Sequence, residues 1–536
     1  MTDQPNMLVI HAANLYTLDP SQPHATALVI DHGDVIAVGA DDEILSLFST
    51  ANSFNARGHT IIPGLTDAHI HLEDYALSLQ KVKCETSTRL ECLQRIAERV
   101  ITTPPGEWIL GHGWNQNNWV EGYGTASLVD EVAPNNPVYL THKSLHSAWA
   151  NTPALRLAGI TRDTPDPTGG RIGHLSNGDP DGILFESATN ILERAIPEPS
   201  LEQVVKALQA AIPLLWRMGL TGVHDFDRSR CFSALQILRQ RHELRLRVLK
   251  SIPLESLAHA AELGLRSGFG DDFLRIGSVK MFADGALGPH TAAMLQPYND
   301  DPNNLGILMM DAEELYEYGR LAVEHGISMA VHAIGDRTNH EVLNAYAQLR
   351  ELEVSLPSHS QNFLRHRIEH VQLLHPDDLP RFSRFNIIAS MQPIHATSDM
   401  LMADQCWGKR STYAYAWKSQ LSQQVPLAFG SDAPVESPNP FWGIHAAVTR
   451  RRSDGTPSLD GWYPEQRLSV DEALHAFTIG AAYAAEMEDR LGKLTPGYLA
   501  DLLVLDEDPY TCAPEALLNI QPLATMVGGE WVYSNL

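Results

Sequence analysis

Short apolar segments rich in valine and isoleucine alternate with longer amphipathic segments from about residue 61 onward. This alternation is typical of parallel βα units, in which each buried strand is followed by a helix that packs on the sheet. Eight such units predict an α/β fold of the TIM type, a (β/α)8 barrel with the strands inside a ring of helices. The predicted strands are 62–70, 220–226, 244–250, 274–282, 327–333, 365–371, 386–392 and 425–431.

The rest of the chain predicts two further parts. β-prone runs separated by turns lie at both chain ends, so strands from the two ends could pair in a β-sandwich of residues 1–60 and 490–536. About 150 residues separate the first two predicted barrel strands, whereas a βα connection needs only a few tens. We therefore expect an inserted α/β subdomain, residues 81–197, over the mouth of a barrel formed by residues 61–80 and 198–489.

Charge and cysteine content exclude several classes of protein. The 536 residues include 39 Lys and Arg against 65 Asp and Glu, and the net charge of −26 would repel nucleic acid and anionic membrane surfaces. The 5 cysteines lack C-x-x-C spacing and do not resemble a disulfide framework. The sequence shows no apolar run of membrane-spanning length and no secretory leader, so we expect a cytoplasmic protein that binds neither nucleic acid nor membrane.

Two histidines lie at the end of the first predicted barrel strand. His69 and His71 are two residues apart, so in a strand both side chains point to the same face. Barrel enzymes carry their catalytic groups at this carboxyl end of the strands. The pair therefore predicts two ligands of one metal ion, although two polar residues on an exposed strand would give the same short pattern.

Three more candidate ligands end later strands. His332 and His370 lie at the ends of the fifth and sixth predicted strands, and Asp432 follows the eighth. Each alone is commonly structural, but together with His69 and His71 they would converge on one rim of the barrel. Imidazole and carboxylate ligands suit a divalent metal ion, zinc first, with manganese, iron, nickel and cobalt as alternatives.

A lysine lies within the fourth predicted strand. Lys280 would be costly there if charged and unpaired, so we expect it to be paired, deprotonated or chemically modified. One alternative is an ion pair with Asp284 or another carboxylate at the rim. The other is a carbamate formed with CO₂, whose two oxygens could bridge two metal ions.

Several motifs together resemble the amidohydrolase superfamily of metal-dependent hydrolases, and more narrowly its amidohydrolase 3 branch. They are IPGLTDAHIH at 62–71, WILGHGW at 108–114, HSAWAN at 146–151, KMFADGALG at 280–288, HAIGD at 332–336 and SDAPV at 431–435. The resemblance implies a metallo-barrel with a terminal β-sandwich and an insertion after the first strand. It places Lys280 at the family's lysine position, which favours the carbamate, and a homodimer is a family-level expectation. The branch includes enzymes resembling N-substituted formamide deformylase.

This reading predicts hydrolysis of an amide-like C–N bond in a small molecule. One or two ions held by His69, His71, Lys280, His332, His370 and Asp432 would lower the pKa of water from about 15.7 towards ~7. Asp432 would also accept the water proton and return it to the departing nitrogen. The same barrel could instead cleave esters or lactones, deaminate a ring, isomerise or decarboxylate a substrate, or serve as a catalytically silent scaffold.

Five further residues are candidates for substrate binding. His112, Trp114 and His146 lie in the predicted insertion, and Asp284 and His290 follow the fourth strand. Packing or support of the metal ligands is the alternative role for each of them.

Overall fold

The computed structural model describes residues 7–143, 146–356 and 363–536. The predicted segments 1–60 and 81–197 include residues 1–6 and 144–145, which lie outside the described residues. The chain divides into two compact units, one of Met1–Tyr75 with Val204–Leu536 and the other of Ala76–Gln203.

A nearly closed barrel of parallel strands forms the centre of the first unit. Each strand pairs with the next along the chain, which gives one sheet in sequential order. The predicted eight-stranded parallel barrel is therefore confirmed. Its strands are Leu65–Ile70, Leu220–Asp225, Arg247–Pro253, Leu274–Phe282, Met329–Ala333, Arg367–His370, Ile388–Met391 and Leu427–Phe429.

The first and last barrel strands meet through the residues that follow the eighth strand. The backbone N–H of Asp432 donates to the His69 carbonyl at 2.7 Å, and that of Ser431 donates to the Asp67 carboxylate at 3.0 Å. A side chain at Gly430 would place its Cβ 2.4 Å from the His69 nitrogen, so only glycine allows this approach. This contact brings Asp432 beside the histidines of the first strand.

The third barrel strand begins at Arg247, three residues later than the predicted start at 244. The backbone N–H of Leu244 still donates to the Leu238 carbonyl, at the end of the preceding helix Ser229–Gln240. Residues 244–246 therefore connect the helix to the strand and do not belong to the strand. Apolar character alone could not separate this helix exit from the strand.

Amphipathic helices follow the barrel strands and bury their apolar sides. Helix Ala312–Glu324 begins with a capping box at Asp311 and Glu314, which satisfies free backbone N–H groups of its first turn. The α-helices assigned to this unit or crossing its boundary are Asp41–Leu47, Leu72–Ser78, Leu201–Arg217, Ser229–Gln240, Leu257–Glu262, Ala312–Glu324, Asp336–Ser355, Leu379–Arg384, Pro393–Trp407, Trp417–Ser422, Pro440–Thr449, Val470–Phe477 and Ile479–Ala484.

Strands from both chain ends build two smaller sheets in the same unit. One sheet has the order Asp34–Gly39, Ala27–Asp31, Leu8–His11, Asn52–Asn55, and the other has the order Glu530–Ser534, Pro522–Val527, Leu502–Leu505, Thr60–Pro63, Asn14–Tyr16, His24–Ala25. Strand Leu502–Leu505 pairs antiparallel with Thr60–Pro63, so residues far apart in sequence are neighbours. Ile10 and Leu28 of the first sheet share one apolar cluster with Ile61 and Val504 of the second.

The second unit contains one mixed six-stranded sheet with helices. Its strand order is Gly170–His174, Pro180–Glu186, Ser147–Ala150, Val138–His142, Ile109–Trp114, Val82–Lys83, and its α-helices include Arg89–Thr102, Ala126–Val132, Thr152–Leu157 and Thr189–Glu193. Trp114, Trp119 and Trp149 belong to its apolar core. Across both units, none of the helices in the described part of the chain is long and apolar enough to span a membrane.

Candidate metal centre

His69, His71 and Asp432 meet at the carboxyl end of the barrel, as the sequence pattern predicts. The Nε2 atoms of both histidines lie 3.5 Å from Oδ1 of Asp432. His69 is the penultimate residue of the first strand and His71 follows that strand directly, so the alternating geometry turns both rings to the same side. Three ligand atoms of suitable chemistry thus face one point.

The spacing of these atoms fits a metal ion. Zinc binds nitrogen and oxygen ligands at about 2.0–2.2 Å, so two ligands of a tetrahedral ion lie about 3.3–3.5 Å apart. The Nε2 of His69 is buried and has no hydrogen-bond partner among the described residues. A buried ring nitrogen without a partner is unfavourable unless something binds it, and a divalent cation at this point would do so.

A second group of ligands shares the same carboxylate. His370 ends the sixth strand, and His395 lies in the first turn of helix Pro393–Trp407, with its Nε2 3.8 Å from Oδ2 of Asp432. The Nε2 of His395 is also buried, and it has no hydrogen-bond partner in the described part of the chain. Asp432 therefore belongs to two groups of possible ligands, one with His69 and His71 and the other with His370 and His395.

Sequence reasoning missed His395. The ligands predicted from the sequence are polar residues at strand ends, whereas His395 comes three residues after the predicted strand 386–392. The available signal was the proline at position 393, because a proline after a strand is typical of a helix start and places the next residues at the barrel rim.

His332 and Lys280 complete the ring of predicted residues. His332 lies against His370, with ring centroids 4.5 Å apart, and its Nε2 contacts the carbonyl of Gly285 at 2.9 Å. The Nδ1 of His332 is therefore the nitrogen left to accept a proton or a metal ion. The Nζ of Lys280 lies 4.6 Å from the ring centre of Phe226.

Burial sets the charge of these groups. It lowers the pKa of Lys280 to about 8, and the charges of Glu369 and Asp432 only partly oppose this effect. Burial, reinforced by the charge of Lys280, also lowers the pKa of His332 to about 3 and holds that of His69 well below its usual value. Neutral imidazoles are the form that binds metal ions, so the site favours ligation.

His71 differs from the other histidines of the site in the direction of its pKa shift. Burial lowers its pKa, but the hydrogen bond and the charge of Asp227 outweigh burial, and the net pKa is raised. The contact joins Nδ1 of His71 to Oδ1 of Asp227 at 3.1 Å. With Asp227 on Nδ1, the Nε2 of His71 points towards Asp432.

Acceptors on Nδ1 orient two further rings. The Nδ1 of His69 contacts Oε2 of Glu369 at 2.6 Å, and the Nδ1 of His370 contacts Oε1 of Gln392 at 2.8 Å. Glu369 is buried and also accepts hydrogen bonds from Arg367. Partners of this kind fix the tautomer of a ligating histidine and raise its basicity.

Two residues of the site have a left-handed backbone. The φ angles are 74° at His370 and 62° at Asp432, in the region that non-glycine residues rarely occupy. Such a conformation costs on the order of 1–3 kcal/mol and persists where the surrounding structure imposes it, commonly at functional sites. Both side chains are held by this backbone where the histidines converge.

Asp284 and His290 do not join the ring of ligands. The Asp284 carboxylate accepts hydrogen bonds from the backbone N–H groups of Ala293, Ile334 and Gly335 and from the Thr338 hydroxyl, at 2.7–3.0 Å. These four donors occupy its acceptor sites and join the connections after the fourth and fifth strands. His290 instead contacts Asp300 and Cys406.

The three predicted residues of the second unit have contacts within that unit. The Nδ1 of His112 contacts the Thr141 hydroxyl at 2.8 Å, and Trp114 is buried and donates to the Leu140 carbonyl. The Nδ1 of His146 lies 3.0 Å from Oε2 of Glu186 at the surface. Trp114 therefore packs in the core of the unit, whereas the two histidines retain exposed ring atoms.

The sequence and the fold were compared with those of known proteins. The chain is 32% identical to Protein LONG AFTER FAR-RED 3 of Arabidopsis thaliana, over 98% of this chain and 91% of that protein. It is 29% identical to the N-substituted formamide deformylase of Arthrobacter pascens, over 99% of each. An uncharacterized metal-dependent hydrolase from Pyrococcus furiosus has a similar structure, with a TM-score of 0.78 and 28% identity over 94% of this chain and 100% of that chain.

A family model decides the classification. The model described as Amidohydrolase family (Amidohydro_3) matches residues 53–533, which include every candidate ligand of the barrel. The parallel barrel and the histidines at its rim agree with this match and with the hydrolase fold of the Pyrococcus protein. The chain therefore belongs to the amidohydrolase family and shares the fold of metal-dependent hydrolases.

Proposed function

We propose that this protein hydrolyses an amide-like C–N bond of a small molecule at a divalent metal centre in the barrel. The proposal rests on one observation: the Nε2 atoms of His69 and His71 each lie 3.5 Å from Oδ1 of Asp432, and the buried His69 nitrogen has no hydrogen-bond partner among the described residues. Imidazole nitrogens and a carboxylate at this spacing form the ligand set of a hydrolytic metal centre.

The ions would be held by residues from several barrel strands. His69 and His71 provide the first pair of nitrogens, and His332 and His370 provide the second. Zinc is the ion that we propose, with one or two per chain. A bound divalent cation supplies a Lewis acid for the carbonyl oxygen and makes water acidic enough to attack at neutral pH.

Lys280 would carry a carbamate if two ions are bound. Its amine is buried and lies 4.6 Å and 5.0 Å from the ring centres of Phe226 and Phe282, and its pKa is lowered to about 8. A lysine in this state has a substantial neutral fraction, and the neutral amine is the form that reacts with CO₂. The carbamate would replace a poorly stabilised ammonium with an anion that cations nearby would stabilise.

Asp432 is the residue that we assign to proton transfer. One carboxylate oxygen faces His69 and His71, and the other faces His395. This carboxylate can take a proton from the attacking water and return it to the leaving nitrogen. His395 lies where it can orient Asp432 or contact the substrate.

The choice of a C–N bond has separate support. The relative from Arthrobacter pascens is named an N-substituted formamide deformylase, and similarity to it extends over 99% of this chain. We take formamides and related amides as the first substrate class for this protein. Esters, lactones and ring deamination remain the comparison classes because they use the same metal chemistry.

Several finer proposals accompany this function. The two terminal sheets would form the β-sandwich domain of residues 1–60 and 490–536, and residues 81–197 would form an inserted subdomain. His112 and His146 are proposed as substrate-binding residues. We further propose a cytoplasmic homodimer with a small-molecule substrate.

The test is a substrate panel with matched variants. Purified protein is assayed on N-formyl amines, N-acyl amino acids and lactones, together with Asp432→Asn and Asp378→Asn. Asp378 is also buried, but it pairs with Arg381 and His340 away from the barrel ligands. We expect amide hydrolysis that falls by about 10²- to 10⁴-fold in Asp432→Asn with metal retained, and little change in Asp378→Asn. Turnover of lactones alone, or near-normal turnover in Asp432→Asn, would contradict the proposal.

A further inference from the structure

A second cluster of metal-ligating side chains lies outside the barrel centre. His290 and Asp300 belong to the connection after the fourth barrel strand, and Cys406 lies in the last turn of helix Pro393–Trp407, after the seventh strand. Their ring nitrogen, carboxylate oxygen and thiol sulfur all lie within 4.8 Å of one another. Three residues from two separate segments thus bring three different ligand types to one point.

The distances within this cluster match the edges of a tetrahedron around zinc. The Nε2 of His290 lies 3.2 Å from each oxygen of Asp300 and 3.3 Å from Sγ of Cys406, and Sγ lies 3.6 Å from Oδ2 of Asp300. With Zn–N and Zn–O near 2.0 Å and Zn–S near 2.3 Å, tetrahedral geometry gives separations of about 3.3 to 3.5 Å. Nitrogen, sulfur and carboxylate ligands together select zinc and similar transition metals over magnesium or calcium.

The arrangement is not that of a cysteine nucleophile. In a catalytic triad the thiol and the carboxylate contact opposite nitrogens of the histidine ring, which gives a chain of three groups. Here Asp300 and Cys406 both approach the same Nε2 of His290. All three atoms therefore face a common centre, as ligands do.

The surroundings hold the ligands in place and leave one side open. The backbone N–H of Asn299 donates to the Cys406 carbonyl at 2.8 Å, which ties the connection to the helix. Cys406 is only 1% exposed, whereas His290 and Asp300 are partly exposed. An ion at the centre would have three protein ligands and a fourth position for water.

We propose that His290, Asp300 and Cys406 form a second site for a zinc-class divalent cation, distinct from the barrel centre. The ion would link the connection after the fourth strand to the helix after the seventh strand. Binding replaces the S–H bond of Cys406 with a sulfur–metal bond, and the proton is released to solvent. No electron transfer is involved, and the site does not depend on the reaction of the barrel.

The state of the thiol without an ion agrees with this site. Burial, together with the charge of Asp300, raises the pKa of Cys406 to about 11. The thiol is therefore protonated at neutral pH in the absence of an ion. A thiol buried beside a carboxylate is unfavourable as a thiolate unless a cation compensates both charges.

Cobalt titration monitored by absorption tests the site. Cobalt bound by a thiolate gives a sulfur-to-metal charge-transfer band in the near ultraviolet, and the proposed barrel ligands contain no sulfur. The protein and its variants Cys406→Ser, Cys231→Ser and Cys512→Ser are titrated with Co²⁺. Cys231 is the informative control because it lies in another group of possible ligands, with Asp225 and Asp227.

We expect the band in the unmodified protein, in Cys231→Ser and in Cys512→Ser, and its loss in Cys406→Ser. Cobalt affinity at this site should fall by more than about 100-fold in Cys406→Ser, since loss of a direct ligand exceeds the ~10–100-fold effect of an outer partner. His290→Gln replaces a partly exposed residue and should also abolish the band, which covers the case in which Cys406→Ser does not fold. Absence of the band in the unmodified protein, or its loss in Cys231→Ser only, would overturn the proposal.

Discussion

The contact between Glu369 and His69 gives the sharpest quantitative prediction. Glu369 is buried, and its Oε2 lies 2.6 Å from Nδ1 of His69. Burial raises the pKa of Glu369, but the charges of Arg367 and Lys280 outweigh burial and keep the carboxylate ionised. The substitution Glu369→Gln keeps the shape of the side chain and removes its charge, so His69 becomes a weaker ligand.

The expected size follows from the role of this carboxylate. Changing the outer partner of a ligating histidine typically lowers metal affinity by 10–100-fold, which is about 1.4–2.8 kcal/mol. We expect Glu369→Gln to lower the affinity of the barrel centre by this amount. Chelator competition measures the affinity, and urea denaturation of the metal-free protein measures the free energy of unfolding.

The chain offers a matched control in Glu353. This residue is also buried, contacts Nε2 of His366 at 2.7 Å and pairs with Arg350 at 2.8 Å, but His366 is not among the barrel ligands. Each glutamate belongs to a buried ion pair, so each substitution should lower the free energy of unfolding by about 3–5 kcal/mol. Only Glu369→Gln should change metal affinity. Equal affinity in the two variants would refute the role of Glu369.

Three further predictions address separate contacts. His395→Ala should lower turnover by about 10- to 100-fold, because the Nε2 of His395 lies 3.8 Å from Oδ2 of Asp432; unchanged steady-state rates would contradict this. Arg247→Met breaks a buried ion pair with Asp501, with N···O contacts of 2.6 and 2.7 Å, and should lower the free energy of unfolding by about 3–5 kcal/mol in urea; a loss below about 1 kcal/mol would contradict it. Because the pKa of Lys280 is lowered to about 8, the fraction of its amine that is neutral rises about tenfold per pH unit below pH 8 and changes little above it. At a fixed concentration of dissolved CO₂, the initial rate of carbamate formation in metal-free protein, followed by intact mass under non-acidic conditions, should rise and then level off in that way, and a rate independent of pH would refute it.

The barrel and its histidine positions could be predicted because both depend on local patterns. Strands buried on both faces give continuous apolar runs, and a polar residue at the end of such a run lies at the barrel rim. His69 and His332 follow from this rule alone. The start of the third strand does not follow from this rule, because an apolar residue such as Leu244 fits equally well in the connection after the helix and in the strand.

The supporting contacts could not be predicted in the same way. Glu369 contacts His69 across 300 positions in the sequence, and no local pattern records such a contact. His395 enters the site from a helix and not from a strand end. Asp284 carries a carboxylate that could bind a ligand, but its oxygens accept hydrogen bonds from backbone N–H groups that folding brings together. Contacts of this kind depend on how the connections between strands fold, which local sequence patterns do not specify.

The central claim is that the histidines at the barrel rim hold the ion on which hydrolysis depends. Elemental mass spectrometry of protein purified without chelators, compared between the unmodified chain and the double variant His69→Asn with His71→Asn, tests it most directly. We expect that the variant folds, loses at least about one ion per chain and loses amide hydrolysis. A folded variant with unchanged metal content and unchanged turnover would contradict it.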